Sequence, residues 1–337
     1  MNARRFHISA MAVVVVAALC VLLGSAVAQN PGGAAAQAPQ QPSTPLPWAY
    51  PLGPGAPPLD PNKAYELPGS SVKFTGTEVR NAFDVADWHP GDHPTMPGPV
   101  KNGKQPDVRG CGYCHLPNGQ GRPENAGLAG LPAAYIVQQI RDWKDGLRKS
   151  SEPKMGPPAA MLAIGKAVAF DAAREAAAYF SSMEYKKWIR VVETETVPKT
   201  EGSGGMLIEA KGGGTEPIGQ RVIEMPENLE RTELRDPRSG FVAYVPVGSI
   251  RKGETLVKTG SNGRTVQCGI CHGADLKGIG AVPPLAGRSP SYIVRQLHDM
   301  KVGNRNGPWT QLMKQVVANL TNEDLVSIAA YASSQNP

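Results

Sequence analysis

Apolar positions recur at helical spacing in two separate parts of the chain and predict two pairs of helices. The predicted helices cover residues 133–146, 172–182, 290–302 and 322–334, and Thr321-Asn322-Glu323-Asp324 is a capping-box-like start for the last of them. Between the two pairs, the runs at 188–192 and 241–245 are rich in β-branched residues and predict short strands. The pattern therefore predicts a mainly helical chain with a short-stranded or irregular middle segment.

The most apolar run of the chain lies at its start. Arg4 and Arg5 precede the run Ile8–Val27, which ends in Ala26-Val27-Ala28 before Gln29. A basic start, an apolar middle and an Ala-x-Ala end are typical of a secretory signal peptide. We expect residues 1–28 to be this signal peptide and the mature chain to be periplasmic. The alternative is an uncleaved run that anchors the chain in the membrane.

Composition limits the size of the elements that follow. A chain of 337 residues corresponds to two domains at about 150 residues each. It contains 38 Gly and 32 Pro, about a fifth of all residues, which argues against long sheets and long coiled coils. Ten of the prolines fall within residues 29–61. We therefore expect residues 29–64 to be a Pro-rich, flexible extension.

Four of the five cysteines belong to two motifs of the form Cys-x-x-Cys-His. The motifs are CGYCH, with Cys111, Cys114 and His115, and CGICH, with Cys268, Cys271 and His272. Two thiols one helical turn apart can each add to a haem vinyl group, while the next histidine reaches the iron. A thioredoxin-like redox pair or half of a zinc site needs no such histidine, and a disulfide framework does not explain the spacing. The motifs predict two covalently attached haem c groups, each with its iron.

The two motifs lie in an internal repeat. An offset of 157 residues aligns the cysteines, an LAG segment and a YIV segment of the two copies, and it also carries Gln139 onto Gln296 and Arg148 onto Arg305. After a five-residue difference, an offset of 152 carries Met161 onto Met313. We expect a first haem domain at 65–183, a connecting arm at 184–247 and a second haem domain at 248–337.

These motifs resemble those of the tandem dihaem class I cytochromes c, of which the cytochrome c-four type is the best known. The resemblance covers roughly residues 105–183 and 248–335, called here the first copy and the second copy. It implies two class I haem domains, packed so that electrons pass quickly between the haems, in a protein that carries electrons in the periplasm. It also implies His115 with Met161 on the first iron and His272 with Met313 on the second. A neutral thioether ligand raises the potential and leaves no open position on the iron.

Two details of these sites stay open at this point. Met155, in the segment Lys154-Met155-Gly156-Pro157, competes with Met161 as the sulfur ligand of the first iron. In the second copy Pro284 lies where the family often uses a prolyl carbonyl to orient the histidine, whereas the first copy has Gly127. The orientation of the first histidine is therefore an open question.

The remaining histidines are weaker candidates for chemistry. His89 and His93 lie in DWHPGDHP, where proline and glycine prevent a helix, so we expect a solvated or loop-packing role rather than an axial or accessory metal site. His298 aligns with Arg141 of the first copy, which predicts an exposed position on a helix.

Charge is concentrated in the second haem domain. The formal net charge is +6, and residues 248–337 contain ten basic and five acidic residues. A basic face suits an acidic partner protein or an anionic membrane surface. Nucleic acid is not an expected partner of an exported haem protein.

Two classes of function are compatible with these features. The first is electron transfer between a dehydrogenase or quinol-oxidising complex and a downstream acceptor such as a terminal oxidase. In this class the chain acts as a respiratory carrier or as a cytochrome subunit, and the arm at 184–247 is then a structural strap or a docking element. The second is a dihaem peroxidase-like enzyme, which needs one iron with an open sixth position. The two equivalent methionines favour electron transfer.

Overall fold

A computed structural model of the chain describes residues 46–337. The predicted signal peptide and residues 29–45 of the predicted extension lie outside the described residues.

The helices of this part of the chain are short. Up to the end of the first copy they are α1 Gly76–Val79, α2 Gly98–Lys101, α3 Cys111–His115, α4 Ala133–Lys144, α5 Gly156–Ala167 and α6 Phe170–Ser181. Later in the chain they are α7 Leu229–Glu233, α8 Ser249–Thr259, α9 Gly269–His272, α10 Pro290–Lys301, α11 Thr310–Val317 and α12 Asn322–Ser334. The four helices predicted from the apolar pattern are confirmed as α4, α6, α10 and α12.

Strands are mostly found in the arm. The strands are β1 Ala64–Tyr65, β2 Phe74–Thr75, β3 Ile189–Thr194, β4 Thr196–Pro198, β5 Thr200–Ser203, β6 Met206–Glu209, β7 Thr215–Pro217, β8 Ile223–Pro226 and β9 Phe241–Pro246. β9 is the centre of a three-stranded sheet, parallel to β3 and antiparallel to β8. β1 with β2, β4 with β7 and β5 with β6 form two-stranded antiparallel pairs. The two predicted strand runs are β3 and β9.

The second copy is held together by the crossing of α8 and α12. Gly253 of α8 lies against the backbone of Ser327 of α12, where an added Cβ would come within 1.9 Å of the Ser327 carbonyl oxygen. Glycine is needed here because the backbones approach too closely for any side chain. Thr321 and Asp324 form the capping box predicted at the start of α12, with each side chain accepting a backbone N–H of the other residue.

The first copy has only one turn where the second has α8. Under the 157-residue offset, Val100 of α2 corresponds to Val257 of α8, and both are buried. A helix as long as α8 at this place in the first copy would contain Pro94, Pro97 and Pro99, and proline in a helix interior removes a hydrogen bond and clashes with the preceding turn. The first copy therefore has less helix of its own around its attachment turn, and other segments cover it.

Part of the segment predicted to be flexible is in fact packed into the core. Residues Pro47–Ala49 form a 3₁₀-helix, and Leu46, Ala49 and Tyr50 are buried with the core of the second copy. The Tyr50 hydroxyl donates to Asp299 Oδ1 at 2.8 Å, and Arg295 Nη1 donates to the Ala49 carbonyl at 2.9 Å. The prediction of flexibility was wrong for these residues because their apolar side chains find a partner in α10.

The same contact overturns the expected exposure of His298. This residue is 4% exposed, because Tyr50 and Ser151 both pack over its ring. The covering residues lie far away in the sequence, so the pattern of α10 alone did not reveal them.

The arm contacts both copies. Glu224 of β8 accepts from Ser289 Oγ at 2.7 Å and from the Ser291 backbone N–H at 3.1 Å at the start of α10. Burial raises the pKa of the Glu224 carboxyl, against the effect of these serine hydrogen bonds. On the other side, Arg122 of the first copy donates to the Thr232 carbonyl at 3.3 Å. The arm is therefore a strap that spans both copies.

His89 and His93 pack against neighbouring loops, which is one of the two roles expected for them. His89 Nε2 lies 3.3 Å from Asp236 Oδ1, and both side chains are almost fully buried. His93 Nε2 lies 3.1 Å from Asp87 Oδ1, and its Nδ1 lies 2.9 Å from the Tyr179 hydroxyl. Within residues 46–337 no group of three or more His, Cys, Asp or Glu side chains is placed to hold a metal ion. The same residues contain no helix long and apolar enough to cross a bilayer.

The His93 contacts predict a pH dependence of stability. Burial opposes the charged ring, but the hydrogen bond that the ring donates to the Asp87 carboxylate and the charge of Asp92 raise the pKa of His93 above its ordinary value. The protonated ring therefore stabilises the folded state fully below about pH 6.5, and this contribution is lost as pH rises through the raised folded pKa. We expect His93→Gln to flatten that part of the pH dependence of the free energy of unfolding. Urea unfolding of the wild type and the variant across pH 5–9 measures it, and parallel curves would contradict the assignment.

Candidate functional site

The two Cys-x-x-Cys-His motifs fold into equivalent single helical turns. The first is α3, and the second is α9 with Cys268 at its N-cap. Residues three apart on a helix share a face, so the two cysteines of each motif lie on the same side of the turn. Within residues 46–337 no disulfide joins any two of the four motif cysteines.

Each motif histidine is buried and held by a backbone carbonyl. His115 and His272 are both 8% exposed. His115 Nδ1 donates to the Ala126 carbonyl at 2.7 Å, and His272 Nδ1 donates to the Pro283 carbonyl at 2.8 Å. Because a carbonyl only accepts, the proton is placed on Nδ1 and Nε2 keeps its lone pair for a metal. Burial also lowers the pKa of both rings, which favours the neutral form.

These carbonyls settle the open question about the orientation of the first histidine. The acceptors are Ala126 and Pro283, which are equivalent under the repeat, rather than Gly127 and Pro284. The two bond lengths differ by only 0.1 Å. A backbone carbonyl requires no particular side chain, so alanine replaces proline and the first histidine is oriented like the second.

The first cysteine of each motif is a poor nucleophile as a free thiol. Burial raises the pKa of Cys111 to about 12 and that of Cys268 to about 11. Thiolate rather than thiol is the reactive species in thiol–disulfide and acyl-transfer chemistry. These two cysteines therefore lack the low pKa of the attacking thiol in a redox-active pair.

The structure separates the two methionines that competed in the first copy. Met155 is 1% exposed and lies in the apolar cluster that contains Leu46, Ala49 and Tyr50. Met161 lies on α5 and is half-buried, outside that cluster. Met313 occupies the equivalent place on α11, also half-buried. Met155 is therefore a fully buried core residue, whereas Met161 and Met313 are half-buried and Met313 packs against the edge of the same cluster.

The two copies meet at a junction with approximate two-fold symmetry. Arg148 donates to the Tyr292 hydroxyl at 2.8 Å and to Gln296 Oε1 at 2.9 Å. Arg305, its repeat partner, donates to the Tyr135 hydroxyl at 2.7 Å and to Gln139 Oε1 at 2.8 Å. The backbone N–H groups of 149 and 306 donate to the carbonyls of 304 and 147 across the same junction.

Four buried arginines near this junction make hydrogen bonds to neutral groups. Arg148 and Arg305 bond to tyrosine and glutamine side chains, and Arg288 and Arg295 bond to backbone carbonyls. Each is less than 9% exposed. Arg288 Nε and Arg305 Nε lack any partner among the described residues. A buried guanidinium is costly unless an anion neutralises it. The buried carboxylates of Asp299 and Glu224 act electrostatically on Arg148 and Arg295, although neither carboxylate forms a hydrogen bond with its arginine.

The positive charge also acts on a neighbouring phenol. Burial alone would raise the pKa of Tyr292, but the guanidinium groups of Arg148 and Arg305 lower it below its ordinary value. The junction is therefore a buried, electropositive region that suits carboxylates of a bound group. Haem c has two propionate carboxylates. The arginine donors of the junction therefore fit this cofactor, and so do the two attachment turns.

Comparison with known proteins identifies the family. Cytochrome c4 of Azotobacter vinelandii is 31% identical over 233 residues, which cover 66% of this chain and 82% of that protein. The chain belongs to the cytochrome c4 family. It is therefore a dihaem electron-transfer cytochrome with two covalently attached haem c groups.

Other similarities extend the comparison. The thiosulfate dehydrogenase electron acceptor of Thiomonas intermedia (strain K12) is 25% identical, over 68% of this chain and 80% of that protein. The crystal structure of reduced recombinant cytochrome c4 from Pseudomonas stutzeri aligns with a TM-score of 0.44 and 21% identity, over 67% of this chain and 93% of that chain. No family model matches the chain.

Sequence reasoning did not assign a role to the junction residues of this cytochrome. Tyr135, Gln139 and Arg148 are each identical to their repeat partner 157 residues later. The available signal was polar identity at Tyr135 and Gln139, on one face of α4, and at Arg148 just after that helix, because an exposed helix in a repeat does not require identical polar residues.

The junction predicts matched effects of two tyrosine substitutions. Tyr135→Phe and Tyr292→Phe each remove the acceptor of a buried guanidinium, so each should lower the free energy of unfolding by about 1–3 kcal/mol. Urea unfolding of the haem-loaded protein measures both. Tyr244→Phe is the control, because the Tyr244 hydroxyl has no hydrogen bond recorded among residues 46–337. A clearly unequal pair, or a pair as mild as the control, would contradict the symmetric junction.

Proposed function

We propose that this cytochrome is a periplasmic one-electron carrier, or the cytochrome subunit of a dehydrogenase, that passes electrons to a downstream respiratory acceptor. The observation that carries the proposal is the pair of buried histidines, each fixed by a carbonyl so that Nε2 is directed to metal binding. A dehydrogenase as donor is supported by the similarity to a thiosulfate dehydrogenase electron acceptor.

The proposal assigns a role to each motif residue. Cys111 and Cys114 hold the first haem and Cys268 and Cys271 the second, through thioether bonds. His115 with Met161 and His272 with Met313 are the axial ligands. A haem c iron ligated in this way cycles between the ferrous and ferric states by one electron.

The chain itself supplies three things to that chemistry. The carbonyls of Ala126 and Pro283 orient the histidines, so little rearrangement accompanies a change of charge on the metal. Arg148 and Arg305 supply buried positive charge between the copies, which would stabilise the carboxylates of a bound haem. Hydrogen bonds across the junction keep the two copies in a fixed arrangement, which suits electron transfer from one to the other.

The placement in the cell and the division into domains belong to the proposal as well. A signal peptide at 1–28 directs the chain to the periplasm, where haem c is attached. A first haem domain at 65–183 and a second at 248–337 are joined by the arm at 184–247. The contacts of Glu224 with Ser289 and of Thr232 with Arg122 support a structural strap as one role of the arm.

Absorption spectroscopy of the purified, fully oxidised protein tests the ligand assignment. Met-bound ferric haem c has a weak far-red band, which is quantified per haem after a separate haem count. We expect two haems per chain and a far-red absorbance equal to that of two Met-bound haems. Met161→Leu should remove half of the intensity, whereas Met155→Leu should remove none.

The two variants make the outcomes distinct. Loss of intensity in Met155→Leu with none in Met161→Leu would show that Met155 is the ligand of the first iron. Intensity for one haem in the wild type would mean an open or differently ligated first iron, and turnover of peroxide would then become the expected function.

A further inference from the structure

The face beside the first attachment turn is covered by the chain itself. The Arg235 guanidinium lies 3.6 Å from the centroid of the Tyr113 ring, and Arg235 Nη1 donates to the Tyr113 carbonyl at 2.6 Å. Arg122, which follows the same turn, is 6% exposed and donates to the Thr232 carbonyl. Helix α7 and the residues just after it thus close this face with a cation–π contact and hydrogen bonds.

The equivalent face of the second copy is open and apolar. Under the 157-residue offset, Tyr113 corresponds to Ile270 and Arg122 to Ile279. Ile270 is 64% exposed and Ile279 is 56% exposed. Val266, just before the turn, is 42% exposed. We call Val266, Ile270 and Ile279 the second-copy patch.

Positive charge borders the second-copy patch. Lys277 is exposed, lies two residues before Ile279, and has no ion-pair partner among the described residues. Arg264 lies two residues before Val266, with a side chain that is 44% exposed even though it contacts Asp324. Seven basic and three acidic residues of 248–337 are exposed or half-buried, with the exposed Asp275 beside the patch among the acidic ones, whereas Arg288, Arg295 and Arg305 are buried at the junction. An apolar centre with a charged rim is the usual form of a transient protein interface.

We propose that the second-copy patch is the docking site for an acidic redox protein, and that the arm closes the equivalent face of the first copy to such partners. The proposal rests on the proposed electron-transfer function. It adds that one electron passes between the partner and the haem of the second copy. The first haem then exchanges electrons through the junction between the copies.

Carbodiimide cross-linking and stopped-flow kinetics with a defined probe test this docking site. The probe is a plant-type [2Fe–2S] ferredoxin, a small acidic protein whose reduced cluster donates one electron to a ferric haem. Carbodiimide joins a lysine amine to a carboxylate with loss of water, and peptide mass spectrometry locates the link. We expect Lys277 among the linked residues of the haem-loaded, full-length cytochrome.

Kinetic variants complete the test. Lys277→Glu should lower the second-order rate constant with ferredoxin roughly tenfold at low ionic strength and reduce its salt dependence. Ile270→Ser should lower it roughly fivefold at every ionic strength, because the apolar contact is not screened. Lys166→Glu makes the same charge change on an exposed lysine of the first copy and should have little effect.

The outcomes separate this proposal from the proposed function. If dithionite reduces both haems reversibly but Lys277→Glu and Lys166→Glu behave alike with ferredoxin, the docking site is wrong and the carrier function stands. If dithionite does not reduce both haems reversibly, the carrier function itself fails. Capture of the protein by phosphatidylglycerol vesicles, lost in Lys277→Glu while ferredoxin shows no link to Lys277, would overturn the proposal in favour of a membrane surface.

Discussion

Buried positive charge at the junction of the two copies is the constraint on which much of this structure depends. Arg148, Arg288, Arg295 and Arg305 are buried, and the hydrogen bonds they make within the chain go to neutral groups. Such charges are costly without an anion nearby. The buried carboxylates of Asp299 and Glu224 act electrostatically on Arg148 and Arg295. The propionates of two haem c groups would supply further anions, which would couple cofactor binding to the packing of the two copies.

The same arginines connect the N-terminal segment and the arm to the two copies. Arg295 is held by the carbonyl of Ala49 in the 3₁₀-helix, and the Arg288 guanidinium lies 4.2 Å from the centroid of the Tyr185 ring at the start of the arm. The N-terminal segment and the arm thus provide neutral acceptors and aromatic surface to cations that a small haem domain leaves unsatisfied. The arm also breaks the symmetry of the repeat, because it covers the attachment turn of the first copy and leaves that of the second exposed.

The sequence predicted the features that depend on local pattern or on the repeat. The helices α4, α6, α10 and α12, the strands β3 and β9, and the capping box at Thr321 follow from nearby residues. The attachment turns follow from a motif whose spacing is set by one helical turn. The equivalence of His115 and His272 follows from the repeat, and the structure extends it to their carbonyl partners.

What local pattern did not predict depends on partners distant in the sequence. Tyr50 covers His298 from 248 residues away, and Arg235 covers Tyr113 from 122 residues away. The acceptor carbonyls were placed one residue too late, because a backbone group has no side-chain signature and the adjacent Pro283 and Pro284 look alike in sequence. The sequence did not show which side chains cover one another or which carbonyl orients each motif histidine, because both depend on the three-dimensional arrangement.

Amide hydrogen exchange of the haem-loaded and the haem-free chain tests whether the buried arginines of the junction require the propionates of the haems. The haem-free chain is obtained by expression without haem attachment. We expect slow exchange in α4 and α10 of the haem-loaded protein and fast exchange in the same helices of the haem-free chain. Equal protection of α4 and α10 in both forms would show that the buried arginines are stable without the haems, and that the junction does not depend on them.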